Sequence, residues 1–225
     1  MDKLTLNPSL EVAGLLLDAG SVMPRTDEPF RLPSGWASPV YMDCRRLMSF
    51  PGIRRSIVAH ALARLRADGA LTDVAAVAGA EASGIALAAW IAEALDLPLL
   101  YVRKKSAGHS HVEGIVEAGR RVLLVDDLMA AGQSKVAFLK ALTAAGATVK
   151  DALVVFDYGT FAAERMLADR NLRVHALATW QDVFAVAKER GSLGTKAFEE
   201  LGAFLHDPGQ WSQEHGGIGA SPALN

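Results

Sequence analysis

The sequence predicts an α/β fold with a central, mostly parallel sheet flanked by helices. Continuous apolar runs recur at "VAAVAG" (74–79), "LLYVR" (99–103), "RVLLVD" (121–126), "DALVVFD" (151–157) and "RVHALA" (173–178). Helix-period segments stand between them, near 84–96, 133–145 and 160–170. Apolar strands joined by helices are the pattern of a parallel sheet covered on both faces.

The flanking regions read differently. A helix is predicted at 9–19, an irregular Pro/Gly/Ser-rich stretch at 24–40, and a long helix at about 52–68. Arg54, Arg55, Arg64 and Arg66 on that helix read as a solvated face or a dimer rim. After the last strand come amphipathic helices at 180–190 and 195–205. Trp180, Phe184 and Ala187 recur at helical spacing with Val183 beside them, which is the signature of core packing rather than a stacking box. The whole of 1–215 reads as one domain: N-terminal helices and hood (1–70), α/β core (71–178) and C-terminal helices (179–215), with a flexible tail at 216–225.

With 225 residues and 51% hydrophobic content, the chain can bury a substantial core. A net charge of −2 gives no basic field for nucleic acid. The single cysteine, Cys44, cannot form an internal disulfide, which fits a reducing cytosol. The N-terminus is a poor signal peptide, and no window offers the ~18 uninterrupted apolar residues that span a bilayer. The expectation is a cytoplasmic protein without a membrane partner.

The chemistry concentrates in "VLLVDDLMAAGQSK" (122–135). Ligands of open parallel sheets sit beyond the carboxyl ends of strands, where Asp126 and Asp127 fall. The small residues behind them let backbone N–H groups face an anion at the start of a helix, whose dipole adds to the attraction. A phosphate held there would leave the two acids one ligand-length away, ready to accept hydrogen bonds from sugar hydroxyls. A sugar phosphate satisfies both halves; without the Gly/Ser loop, a helix cap and a solvated acid would be the better reading.

Three other phosphate-binding patterns fail. A dinucleotide fingerprint needs G-x-G-x-x-G, and Gly79 and Gly84 lack that spacing. A P-loop has their spacing, but Ile85 and Ala86 replace its lysine and hydroxyl. A receiver domain would begin at "VLLVDD", yet the strand at 173–178 ends without an aspartate. A metal cluster of His109, His111 and Glu113 would be three ligands in one loop with no distant partner, and ranks below phosphate binding.

Four segments in order resemble the type I phosphoribosyltransferase family, and within it the orotate phosphoribosyltransferases. "FRLPSGWASPVYMDCR" (30–45) is similar to F-x-L-x-S-G-x-x-S-P-x-Y-x-D-x-R, and "VAGAEASGIALAAWIA" (77–92) to the pyrophosphate-side loop. "YVRKKSAGHSHVEG" (101–114) resembles the basic flexible loop, and 122–135 the phosphoribosyl-diphosphate (PRPP) motif. The likeness continues to "FLHDPGQWSQEHGG" and so covers nearly the whole chain. It implies the type I phosphoribosyltransferase fold and transfer of phosphoribose from PRPP to orotate, with Mg²⁺, in pyrimidine (UMP) biosynthesis.

The resemblance also implies roles. Asp126 and Asp127 would bind the ribose hydroxyls, and Ala130, Ala131, Gly132, Gln133 and Ser134 the 5′-phosphate. Arg103, Lys104, Lys105 and His109, with Ala80 and Glu81, would attend the diphosphate, Lys104 and His109 catalytically. Ser34, Gly35 and Tyr158 would line the orotate pocket. Mg²⁺ would be held by PRPP oxygens and water, with no dedicated protein ligands. A homodimer is implied, loop 103–113 contributing to the partner's site.

Departures from the family pattern leave alternatives: a non-catalytic PRPP- or nucleotide-binding module, or an enzyme for another base. Ala107 stands at the loop's third basic position, and the loop is short. Ala130 and Ala131 replace common threonines and Gln133 a common glycine. Tyr158 follows Asp157 where many relatives have arginine, and Pro33 stands where some have lysine.

Overall fold

The computed structural model describes residues 7–32, 35–107, 110–159 and 163–219. In chain order its elements begin with α1 (Pro8–Asp18), β1 (Val22–Pro24), β2 (Phe30–Arg31), β3 (Ala37–Ser38), β4 (Val40–Met42) and α2 (Pro51–Ala67). Next come β5 (Val74–Ala80), α3 (Ser83–Leu95), β6 (Leu99–Ala107), β7 (Ser110–Glu113), β8 (Arg121–Met129), α4 (Gln133–Ala144) and β9 (Thr148–Asp157). The remainder is α5 (Ala163–Ala168), β10 (Arg173–Thr179), α6 (Trp180–Arg190), α7 (Thr195–His206) and α8 (Pro208–Glu214). They divide into two units, one of 51–157 and 162–177, the other of 1–50, 158–161 and 178–225. No described helix is long and apolar enough to cross a membrane.

The first of these units holds a six-stranded sheet in the order β10-β9-β8-β5-β6-β7. β6, β5, β8 and β9 pair in parallel, while β7 runs antiparallel along β6. Both faces of β8 are buried, which is why its sequence does not alternate. Val122 and Leu124 pack with Val136, Phe138 and Leu142 of α4. Leu123 and Val125 point the other way and are fully buried too. On that second face α3 lies close to β5: a methyl on Gly79 would come 2.6 Å from the Ile85 Cα.

Three strands run longer than their apolar cores suggest. β6 extends through Lys105 to Ala107, with the basic segment in an irregularity of the β6–β7 ladder between Val102 and Ala107. β8 and β9 stay paired to Met129 and Asp157. The acids at 126 and 127 therefore sit inside the ladder, and the connection to α4 shrinks to Ala130–Gly132. Backbone pairing with a long neighbour overrides side-chain polarity at strand ends.

At the opposite end of the sheet lies a buried charge cluster. His175 on β10 is 1% exposed, with Nδ1 2.6 Å from Asp68 Oδ2 and Nε2 2.8 Å from Asp151 Oδ1. Asp151 also accepts from Arg121 and, at 3.0 Å, from Arg173 Nε; Arg64 pairs with Asp68 at 2.6 Å. Of the basic face expected on α2, Arg64 is thus tied to Asp68, and the Arg54 guanidinium lies over the Trp90 ring at 4.7 Å.

In the other unit, the stretch expected to be irregular folds into two short antiparallel ladders, β1 with β4 and β2 with β3. Strands of two or three residues carry no readable alternation. Trp180 and Val183 are fully buried, and Phe184 stacks on Phe198 at 4.2 Å. α8 follows the two amphipathic helices as a third, and its Ser212 hydroxyl accepts from the Ala37 N–H at 2.9 Å. Of the segment expected as a tail, 216–219 is described, and the Ile218 N–H donates to the Gly35 carbonyl at 3.1 Å.

Candidate active site

The period of two along β8 places Asp126 on the same face as Val122 and Leu124, beneath α4. A buried carboxylate needs a partner there, and α4 supplies one: Lys135, 1% exposed. Its ammonium bonds to Asp126 Oδ2 and donates to the Leu128 carbonyl at 2.8 Å. Asp126 Oδ1 accepts the Asp127 N–H at 2.9 Å, and Asp127 Oδ1 accepts the Leu128 N–H at 2.9 Å. Burial, then the neighbouring Asp126 charge, push the Asp127 carboxyl up to about 7, against the pull of Lys135 and the Leu128 N–H. Asp127 therefore exchanges its proton near neutrality.

Behind the acids the chain turns through Gly132 at φ 75°, a left-handed conformation suited to glycine, and enters α4 with no side-chain cap. The uncapped N–H groups of Gln133 and Ser134 and the helix dipole suit a phosphate.

Close approach of α3 explains a glycine that serves no P-loop. A Cβ on Gly84 would sit 2.5 Å from the Val125 carbonyl and 2.9 Å from the Asp126 Cα. Gly84→Ala is expected to destabilise the protein by about 1–3 kcal/mol and displace Asp126. Gly194→Ala, where nothing lies within 4 Å, is the control. Urea unfolding and calorimetry with PRPP check both.

On the next strands Ala80 ends β5 fully buried, and Glu81 Oε2 accepts the Lys104 N–H at 2.6 Å. Arg103 donates to Glu113 at 2.7 Å and to the Tyr101 hydroxyl at 3.3 Å, while Lys104 and Lys105 are exposed. Arg103, Lys104, His111, Ser134, Phe138 and Lys140 line a cleft of about 520 Å³. The structure thus brings Arg103 and Lys104 to one cleft with Ser134 in the first turn of α4.

Among the residues assigned to orotate, Gly35 has φ 90° and donates to the Leu32 carbonyl at 2.9 Å. Tyr158 is buried; its hydroxyl accepts the Met42 N–H at 3.3 Å and its ring meets Trp180 edge-on at 5.5 Å. Burial holds its hydroxyl above the ordinary phenol range. Ser34 and His109 lie outside the described residues. Among the described residues no group of three His, Cys, Asp or Glu side chains could hold a metal ion.

Sequence reasoning missed Lys135, and weighed Glu113 only as a metal ligand rather than as the partner of Arg103. The signal for the first was present, since two adjacent acids at a buried strand end demand a cation. Which nearby lysine answers is visible only once α4 is docked. Glu113 is identified by the β6–β7 hairpin.

Comparison with known proteins places this geometry. The family model described as "Phosphoribosyl transferase domain" matches residues 53–180. The orotate phosphoribosyltransferase of Rhizobium rhizogenes is 42% identical over 211 residues, 92% of this chain and 91% of that protein. Among solved structures, the orotate phosphoribosyltransferase of Aeropyrum pernix superposes with a TM-score of 0.68 at 32% identity, over 80% of this chain and 99% of the other. The UMP synthase of Leishmania donovani gives a TM-score of 0.78 at 27% identity, over 88% of this chain and 42% of that one.

Proposed function

Because the chain belongs to the orotate phosphoribosyltransferase family, we propose that it transfers the phosphoribosyl group of PRPP to orotate, giving orotidine 5′-monophosphate and diphosphate. The observation that carries this reading is the run from Asp126 to Ser134. An acid pair, a left-handed glycine and an uncapped helix start stand within these nine residues, with the cation Lys135 directly after them, suiting a ribose and its 5′-phosphate together.

The bond that breaks joins ribose C1′ to the diphosphate oxygen, and the bond that forms joins C1′ to a ring nitrogen of orotate. Positive charge develops on the ribose between the two events, and negative charge on the departing diphosphate. Asp126 and Asp127 hold the ribose hydroxyls and place negative charge beside the developing cation. Backbone N–H groups from Ala130 to Ser134, with the Ser134 hydroxyl, hold the 5′-phosphate and so fix C1′. Arg103, Lys104, Lys105 and His109 take up the charge of the diphosphate, with Ala80 and Glu81 beside it. Ser34 and Gly35 are assigned to orotate, and Tyr158 to supporting that segment through Met42.

Glu81 and Asp127 are carboxylates on the ligand side, and they fit a substrate that arrives with Mg²⁺ on its own oxygens. Bound this way, the ion supplies neutralisation of the diphosphate. We place the protein in the cytoplasm as a homodimer in which 103–113 contributes to the partner's site; light scattering checks the dimer.

The direct test follows orotate consumption with PRPP and Mg²⁺, with uracil, hypoxanthine and nicotinate as control bases. The expected result is saturable turnover of orotate alone. PRPP binding without turnover of any base would replace this reading with a non-catalytic module, and turnover of a control base would replace the substrate.

A further inference from the structure

Lysine is rarely buried as deeply as Lys135, and then with partners for its charge. Its partners are Asp126 Oδ2, the Leu128 carbonyl at 2.8 Å and the Ser134 hydroxyl at 3.5 Å. An ammonium has three donors, and these three acceptors account for them. Donation to a bound phosphate would leave Asp126 with an uncompensated charge, so any effect of Lys135 on substrate passes through Asp126.

From this arrangement we infer that Lys135 is a positioning residue of the transfer reaction. Its ammonium neutralises and orients Asp126, so that Asp127 beside it meets the ribose hydroxyls as a charged acceptor. The inference rests on the PRPP reading of the site and goes beyond it by dividing the labour of the two acids. Asp126 already spends one oxygen on Lys135 and the other on the Asp127 N–H. Asp127 is the less buried of the two, and burial beside the Asp126 charge pushes its carboxyl up to about 7.

The charged surroundings are few. Asp126 and Asp127 stand on β8, Lys135 on α4, and Asp157 ends β9 in register with Met129. Glu81 follows β5. The first turn of α3 presents Gly84, which has no charge, to Asp126. Among the described residues Lys135 is the cation that bonds to Asp126. Without it, adjacent buried carboxylates share a proton until the pH is high enough to remove it.

Lys135→Met keeps the length and removes the charge. Two quantities are read: the Asp127 midpoint in the ligand-free protein, by carbon-detected NMR of the carboxyls, and the pH dependence of Mg–PRPP affinity by calorimetry. Loss of a signal in Asp127→Asn assigns the resonance. The expected result is a midpoint raised by about one pH unit or more. Affinity at pH 7 then falls roughly tenfold and recovers as pH rises past the new midpoint. The KM for PRPP carries the loss, and kcat at saturating PRPP changes less.

Asp126→Asn/Lys135→Met removes both charges together and is the second variant. Its Asp127 midpoint is expected at or below the wild-type value. A single variant that fails to fold beside a double variant that folds with this midpoint supports the inference. An unmoved midpoint in Lys135→Met, a double-variant midpoint above wild type, or failure of both to fold overturns it, since Lys135 would then serve packing alone. Wild-type protein that gives no heat with Mg–PRPP overturns the substrate reading and the positioning role with it. Normal PRPP heat with an unmoved midpoint overturns the role of Lys135 alone.

Discussion

Asp151→Asn is expected to lower the free energy of unfolding by about 3–5 kcal/mol, the cost of breaking a buried ion pair from one side. Asp151 sits in β9, 2% exposed, and bonds the His175 ring and two cations, the guanidiniums of Arg121 and Arg173. Burial works against its charge, but hydrogen bonds from His175, Arg121 and Arg173 outweigh burial and hold its carboxyl below the ordinary range. Asparagine keeps the shape and leaves those cations facing a neutral amide. Each kcal/mol is worth about 2–4 °C at this chain length, so a loss of roughly 6–20 °C in Tm is expected by scanning calorimetry.

The pH dependence has a defined sign. A carboxyl with a lowered folded pKa stabilises the protein fully above its unfolded pKa, and that contribution is lost as pH falls through the folded value. Wild-type protein should therefore lose stability from this group below about pH 4, and Asp151→Asn should lack that part of the acid sensitivity. Asp68, also held below the ordinary carboxylate range by Arg64 and then His175, acts in the same direction. An acid-unfolding profile of Asp151→Asn as steep as that of wild type would refute this assignment.

Asp127→Asn is expected to lower kcat/KM for PRPP by about 10²–10³, as the loss of one charged group that acts on developing charge does. Its pH profile distinguishes this from a general loss of fold. In the free protein the carboxyl is raised to about 7, so between about pH 4 and that value it holds a proton that the unfolded chain has released. The contribution of this group to stability consequently falls as pH rises from about 4 through 7. Ribose hydroxyls donate to the ionised form, so PRPP binding below pH 7 must expel that proton, and affinity weakens as pH falls. The acid limb should flatten in Asp127→Asn; an acid limb identical in both proteins would assign it elsewhere.

The strand cores were legible because burial on both faces demands uninterrupted apolar residues, and "VLLV" and "ALVVF" supply them. Asp126 and Asp127 were legible for the opposite reason: two charges directly after such a run are costly unless something binds there. Strand ends were less legible. Lys104 and Lys105 look like loop residues, yet they lie within β6, in an irregularity between the pairs Val102–Val112 and Ala107–Ser110 that no local pattern announces. The hood at 22–42 escaped altogether, its ladders being too short for any period.

By itself the sequence determined the α/β class and singled out the 122–135 segment and its two acids as the candidate site, since these follow from local pattern and from the energetic cost of burying charge. Only the tertiary structure decided which cation answers that charge, why Gly84 admits no side chain, and how Asp68, Asp151 and His175 come together across more than a hundred residues. The reason is physical: burial demands that a charge be paired, but the partner is whichever side chain the packed helices and strands bring within hydrogen-bond reach.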